Sequence, residues 1–419
     1  MSAAQRLQVS LGLIPLMLLG LCVSAEPHDP LSVGVSLTLE SAHLVDQAQP
    51  SGRGSERRAL ISIPISLDLA EVSERSLGLI SAQAMVIKED ARIERDPLLY
   101  DVHAYSNMRA EDRAQLFELY WERSWGALTT RLGKLDANDH FAVSEFEAKL
   151  INGAAGFSPS IYGLPSYPDS AWSAQLGYEM ERLDLSMAVF DGGSTTLSPV
   201  PTGARLWLSD AARAGGLFWV AQLSAHLGGM SEAADQREGA EQALPSMPQA
   251  DRGFEARAPL HLSLGAWTHR GEVVPTEGGS GEPGSGLYLT SDLSLLSYAG
   301  GGELGAGLQV AWSPAYHPLH ISAALTASEL SPALPWAQQG LSLALGLSYL
   351  NIIEDPSRSE RFGELHEQLY ELTASLPISG SALVSLSALY LYGHGLLDPT
   401  LSEARGATLV VGRLTLGVF

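Results

Sequence analysis

Apolar residues recur at every second position along most of this chain. Leu217, Trp219, Ala221, Leu223 and Ala225 share one face of an extended segment, and Phe218, Gln222, Ser224 and His226 occupy the other. The same period returns at Leu260, Leu262, Leu264 and Ala266, at Leu287, Leu289 and Leu293, at Leu304, Ala306, Leu308 and Val310, and at Leu341, Leu343, Leu345 and Leu347. The intervening residues are mostly Ser, Gly, Ala, Thr or Gln. Leucine on one face with small and polar residues on the other suits a strand between lipid and a wet lumen. A soluble β-sandwich has the same period, so alternation alone does not choose between them.

The number of strands and the connections between them extend this reading. About seventeen candidate strands run from near Val33, Ile61 and Leu77 to Phe419, and single-chain bacterial barrels close with an even number. The expected fold is therefore all-β, a transmembrane antiparallel β-barrel of about sixteen strands, with eighteen as the alternative. The segment Ala204 to Asp210 and the candidate near Val33 are the ones to discard. Glu181-Arg182 and Ser313-Pro314 read as periplasmic turns, and Gly228 to Gly253 and Glu272 to Ser285 as outward loops. In the last strand Phe419 is in phase with Gly417, Thr415 and Arg413, while Leu414, Leu416 and Val418 lie opposite. A bulge near Gly417 is expected to restore the register. Without it Arg413 would face lipid, at about 2 to 4 kcal/mol near the midplane.

The first residues read as a secretory signal peptide over 1–25: Arg6, an apolar stretch from Leu11 to Leu21, then Val23-Ser24-Ala25. Leu21 before Cys22 disfavours a lipoprotein signal. Residues 26–419 would form one barrel domain without cysteine, hence without disulfides or thiolate chemistry. That part holds no run of about 18 apolar residues, which excludes an ordinary helical membrane protein but not a barrel.

Near the middle, strand-like segments flank a polar, glycine-containing insertion between Arg131 and Trp172. Alternation in Leu116–Trp125 places Phe117, Leu119 and Trp121 toward lipid and Glu118, Tyr120 and Glu122 toward the lumen. After the tight Ser124-Trp125-Gly126 turn, Leu128 and Leu132 face out and Thr129 and Arg131 face in, with Arg131 opposite Tyr120 and diagonal to Glu122 or Glu118. Such a charge pair could orient solutes or simply be a solvated structural pair. Residues 136–170 are expected to fold inward as a constriction loop. There Lys134, Asp136, Asn138, Asp139, Glu145, Glu147 and Asn152 offer donors and acceptors to a passing solute. Phe141, Phe146 and Phe157 could present faces to sugar rings, but burial tendencies favour anchoring the loop to the wall.

The same stretch resembles the carbohydrate-selective porin family OprB. Gly133, Lys134, Leu135, Asp136 and Asn138, then Phe141, Ser144 and Glu145, Asn152, and finally Tyr167 and Pro168 match its pattern. Similar stretches lie at Tyr105–Glu122, Ser170–Met180 and Val189–Gly193, and more weakly at Glu364, Glu367, Tyr370 and Arg413–Leu416. The early Gly-Asp-Trp-Gly-Gly-x-Arg segment common in the family is absent. The resemblance implies a passive channel for glucose and related mono- or oligosaccharides, embedded in outer-membrane lipid and lipopolysaccharide. Whether it would be a homotrimer or a monomer is open.

Charge and motifs narrow the choice of function. With 47 acidic against 25 basic residues and a net charge of −22, the chain is a poor match for nucleic acid or for phosphate-selective transport. An acidic lumen would favour cations, although carboxylates such as Glu232, Asp235, Glu238 and Glu241 could equally lie on external loops. No enzyme, catalytic residue, cofactor or metal is expected. His366-Glu367 lacks a second His at Tyr370, no nucleophile elbow or P-loop occurs, and His317 and His320 have no third ligand nearby. A hydrolase assembled from distant strands is still compatible with the periodicity. So are a general or cation-biased porin of the same fold and an exported, non-channel β-rich surface-binding protein.

Overall fold

The structure is a computed structural model that describes residues 30–47, 55–69, 77–91, 105–108, 110, 112–156, 158–161, 163–191, 216–227, 260–270, 284–297, 302–314, 319–330, 340–352, 365–379, 381–393 and 405–418. The strands are β1 (Leu31–Val33), β2 (Val35–Gln47), β3 (Ser55–Asp68), β4 (Leu79–Ala91), β5 (Arg113–Trp125), β6 (Leu128–Leu135), β7 (Ala171–Glu179), β8 (Leu183–Asp191) and β9 (Leu217–Leu227). They continue as β10 (Leu260–Arg270), β11 (Gly284–Ser297), β12 (Glu303–Trp312), β13 (Leu319–Ala327), β14 (Ser342–Ile352), β15 (Leu365–Ser379), β16 (Ala382–Gly393) and β17 (Arg405–Val418). Each of β2 to β17 pairs antiparallel with the next, and β17 pairs back onto β2. These sixteen of the seventeen strands make a closed barrel, and the short β1 is an extra piece on β3. Closure leaves no open sheet edge, which lets strands cross a bilayer with every backbone group satisfied.

The two faces follow the sequence pattern. Trp219, Leu223, Leu264, Leu287, Leu308, Leu345 and Leu386 are exposed on the outside. The alternate positions, including Phe218, Ser263, Thr290, Gln309, Ser322 and Ser387, are buried inside. A continuous belt of exposed leucine would drive association in water and is stable against hydrocarbon.

Several expectations change. The candidate near Val33 divides in two: Leu31–Val33 is the extra piece on β3, and β2, starting at Val35, is a wall strand that closes the ring. Ala204–Asp210 lies outside the described residues, but β8 pairs directly with β9, so the wall has no strand between them. Strand parity then puts Glu181-Arg182 and the β9–β10 connection, which includes Gly228 to Gly253, at one end. Ser313-Pro314, the β10–β11 connection and residues 136–170 belong to the other end. The first end also carries the tight turns at 126–127 and 380–381, which marks it as periplasmic.

One bulge resets a face that strict alternation misassigns, and a second falls elsewhere than expected. The β4–β5 ladder pairs Gln83 with Glu118 and Ala84 with Leu116, leaving Phe117 as the extra residue. Phe117 therefore turns inward and packs with Leu60, Met85, Ile87 and Met108 instead of facing lipid. The β17–β2 register shifts between Thr408 and Leu409, not near Gly417, and is regular from there to Val418. The extra residue there is Val45 of β2, so β17 keeps its alternation, and Arg413 shares the lumenal face of the buried Ala407, Leu409 and Val411 and bonds Glu40, with Nη2 to Oε2 at 2.6 Å. Phe419 lies outside the described residues.

Candidate functional site

Residues 136–170 leave the wall at the end of β6 and return at the start of β7. Asp136 clasps the two ends of this segment. Its side chain caps a turn of 3-10 helix at Ala137–Asp139 by accepting from Asn138 N at 2.8 Å, and it also accepts from Tyr167 N at 3.2 Å. Asp136 N donates to Glu118 Oε1 at 2.9 Å and Ala137 N to Pro165 O at 2.7 Å. Burial, aided by the neighbouring Asp139, pushes the Asp136 carboxyl up to about 8.

From this clasp the segment crosses the barrel interior. Phe141 is buried among Phe190, Phe218, Trp267 and Tyr288. Ala142 stands at φ 57°, donating its N–H to Gln222 Oε1 at 3.1 Å and accepting from Gln309 Nε2 at 2.8 Å. Asp292 on β11 then accepts from Ser144 Oγ, Glu145 N and Phe146 N at 2.7, 3.0 and 3.2 Å. Farther on, Glu371 on β15 accepts from Ile151 N, Asn152 N and Asn152 Nδ2 at 2.6, 3.0 and 2.7 Å. Each acceptor is a carboxylate on an inward strand position.

Glycines in the wall provide the seat. A Cβ at Gly305 would lie 2.0 Å from the Phe146 ring, at Gly307 2.6 Å from Ser144 Oγ, and at Gly346 2.3 Å from Leu150. Bare backbone on β12 and β14 is what lets the segment press against the sheet.

A second inward segment, residues 105–108 and 110, packs against the first. Asn107 N donates to Ile151 O at 2.8 Å, and Tyr167 Oη donates to Met108 O at 3.0 Å. Beneath it lies a buried charge cluster. Arg58 bonds Glu40 at 2.9 Å, Glu89 at 2.8 Å, Tyr105 Oη at 2.5 Å, and also Glu56. Ser106 Oγ donates to Glu40 Oε2 at 2.9 Å, and Arg413 joins through the same carboxylate.

The residues anticipated from sequence divide into two sets. Glu118, Asp136, Glu147 and Asn152 are buried and hold the segment in place. Tyr120, Glu122, Arg131, Asn138, Asp139 and Glu145 are partly exposed. Arg131 stands directly opposite Glu122, not Tyr120, and bonds it, because the hairpin turns at Gly126-Ala127. Lys134 shares the outer face of Leu128 and Leu132 and donates to Leu116 O at 2.7 Å, beside the Phe117 bulge. Phe141 and Phe146 are buried anchors, and Phe157 lies outside the described residues. Asp292, Glu371, Gln222, Gln309 and the Arg58 cluster were not anticipated. Their signal was a charged or amide residue at an inward position of an otherwise Ser, Gly and Leu strand.

Glu147 makes docking of the segment sensitive to pH. It is fully buried, accepts from Ser322 Oγ at 2.6 Å, and burial together with Asp292 pushes its carboxyl up from 4.5 to about 8. The docked segment thus keeps a proton that an undocked one releases, so this contribution is complete below about pH 4.5 and is lost as pH rises through about 8. Protease cleavage within 136–170 is expected to accelerate between about pH 5 and 8, and Glu147→Gln should flatten that rise. Equal pH responses in both proteins would refute this role.

A closed barrel of sixteen strands with a polar segment folded into its lumen defines a porin. The family profile described as carbohydrate-selective porin, OprB family, matches residues 62–273. The chain belongs to that family, which makes it an outer-membrane channel. Among solved structures, the high-pH form of Pseudomonas putida OprB is similar at 12% identity and TM-score 0.68, covering 93% of this chain and 94% of that one. The low-pH form gives 10% and 0.53, covering 93% of each chain. Salmonella typhi OmpF in complex with daunomycin gives 8% and 0.53, covering 94% and 99%. No curated protein matches the chain by sequence.

Proposed function

We propose that this porin passes sugars and other small hydrophilic solutes by passive diffusion. Membership of the carbohydrate-selective family, with a polar segment across the lumen, supports the reading. In it, Tyr120, Glu122 and Arg131 on the wall and Asn138, Asp139 and Glu145 on the segment line the passage. They exchange hydrogen bonds with hydroxyls that shed water at the narrow zone. Glu118, Asp136, Glu147 and Asn152 act one step back by positioning that edge. The Glu122–Arg131 pair is partly exposed, with side chains at 26% and 22%, and so is worth about 0 to 1 kcal/mol. It serves to orient solute more than to stabilise the wall.

Conductance in planar bilayers tests this. Added mono- or oligosaccharide is expected to reduce the current reversibly, and liposomes carrying the protein should swell in sugar. A conducting channel indifferent to sugar would leave the second reading, a general or cation-biased porin, which the chain's acidity favours. Reversal potentials in a salt gradient would then separate general from cation-biased permeation.

A further inference from the structure

Four titratable side chains form a row across consecutive strands on the lumenal face: Asp184 on β8, His226 on β9, His261 on β10 and Asp292 on β11. His226 and His261 are ladder partners, and their rings stack with centroids 4.7 Å apart and planes 9° apart. His226 Nε2 lies 2.7 Å from Asp184 Oδ2, and on the other side His261 is the ladder partner of Asp292. The His226 and Asp184 side chains are 41% and 33% exposed, so this part of the row is in contact with water inside the barrel.

The row also has a place relative to the inward segment. Along β9 toward the periplasmic end, Gln222 holds Ala142, Gln222 Nε2 donates to Ser224 Oγ at 3.0 Å, and His226 follows. Ser224 Oγ lies 2.8 Å from Ser263 Oγ, which lies 3.4 Å from His261 Nε2. At the far end of the row, Asp292 clamps residues 144–146, with Glu145 and Glu147 nearby on that segment. A solute leaving the narrow zone toward the periplasm meets this row next.

We propose that Asp184, His226, His261 and Asp292 form a proton-binding selectivity station on the periplasmic side of the inward segment, attracting cations when the rings are neutral and losing that preference when they are protonated. The inference rests on the channel reading above. With both rings neutral the row carries two carboxylate charges, and with both protonated its formal charge is nil. Histidine is the side chain whose charge ordinarily changes within the mildly acidic range.

The test is the cation-to-anion permeability ratio from reversal potentials, measured at about pH 7.5 and 5.5. Wild type is expected to lose roughly threefold in that ratio on acidification, and His226→Gln/His261→Gln to change by less than about 1.3-fold. Asp184→Asn, which leaves both imidazoles in place, should start from a lower ratio at the higher pH and still respond to acid. A double variant that conducts and responds to pH as wild type does would overturn the station while leaving the channel intact. A wild type that conducts but is flat with pH would do the same. A wild type that does not conduct would overturn both readings.

Discussion

Arg58→Ala is expected to lower the stability of the barrel by about 3 to 5 kcal/mol, the loss typical when one partner of a buried ionic network is removed. Arg58 is 3% exposed and faces Glu40, Glu56 and Glu89, of which Glu40 and Glu56 are also buried. Deleting the guanidinium takes the cation away from two buried carboxylates, leaving Glu40 with Arg413 and the Ser106 hydroxyl. It also removes the donor to Tyr105, so residues 105–108 and 110 should become accessible to protease. Arg58→Lys keeps the charge but not the fork that reaches four partners, and should fall between. The readout is the temperature at which the fast-migrating folded form disappears on gels. A midpoint within a degree or so of wild type in Arg58→Ala would show that the cluster carries no net stability.

Glu371→Ala should free the far end of the inward segment. The substitution leaves Ile151 N, Asn152 N and the Asn152 amide without their acceptor in a buried place, at about 1 to 3 kcal/mol for each unsatisfied group. Asn152 Oδ1 also caps Ala155 N at 2.8 Å, so that short helical turn should loosen with it. Since the barrel wall does not depend on this contact, the effect should appear in the channel: single-channel conductance rising on the order of twofold, with weaker block by sugar. Glu371→Gln, which retains an acceptor oxygen, should give a smaller change. Unaltered conductance in Glu371→Ala would mean that the segment does not set the width of the passage.

How much of this was readable in the chain depends on the range of the interactions. The strand faces were readable because a side chain's direction repeats every two residues, so Leu264 out and Ser263 in follow from local order. Where the ladder slips, the same logic fails. A bulge has no residue signature of its own: alternation sends Phe117 to lipid whereas pairing with β4 places it inside, and the bulge expected near Gly417 stands instead at Val45 of β2. The inward segment showed itself by composition between two alternating stretches, but its acids were taken for solute contacts. Glu147 and Asn152 prove to be buried because Ser322 and Glu371, far along the chain, come to meet them.

The sequence by itself determined an all-β barrel of about sixteen strands, which face of most strands meets lipid, and membership of a sugar-porin family. These rest on periodicity and local motif, which act over a few residues. Only the tertiary structure decided which polar side chains hold the interior together and which are left to meet solute. Closing the ring brings β2 against β17 and lays residues 136–170 across to β15, and those juxtapositions fix where charge is buried. The same closure sets His226 beside His261 and Asp292 beneath the segment it clamps, because antiparallel register, not spacing along the chain, makes them neighbours.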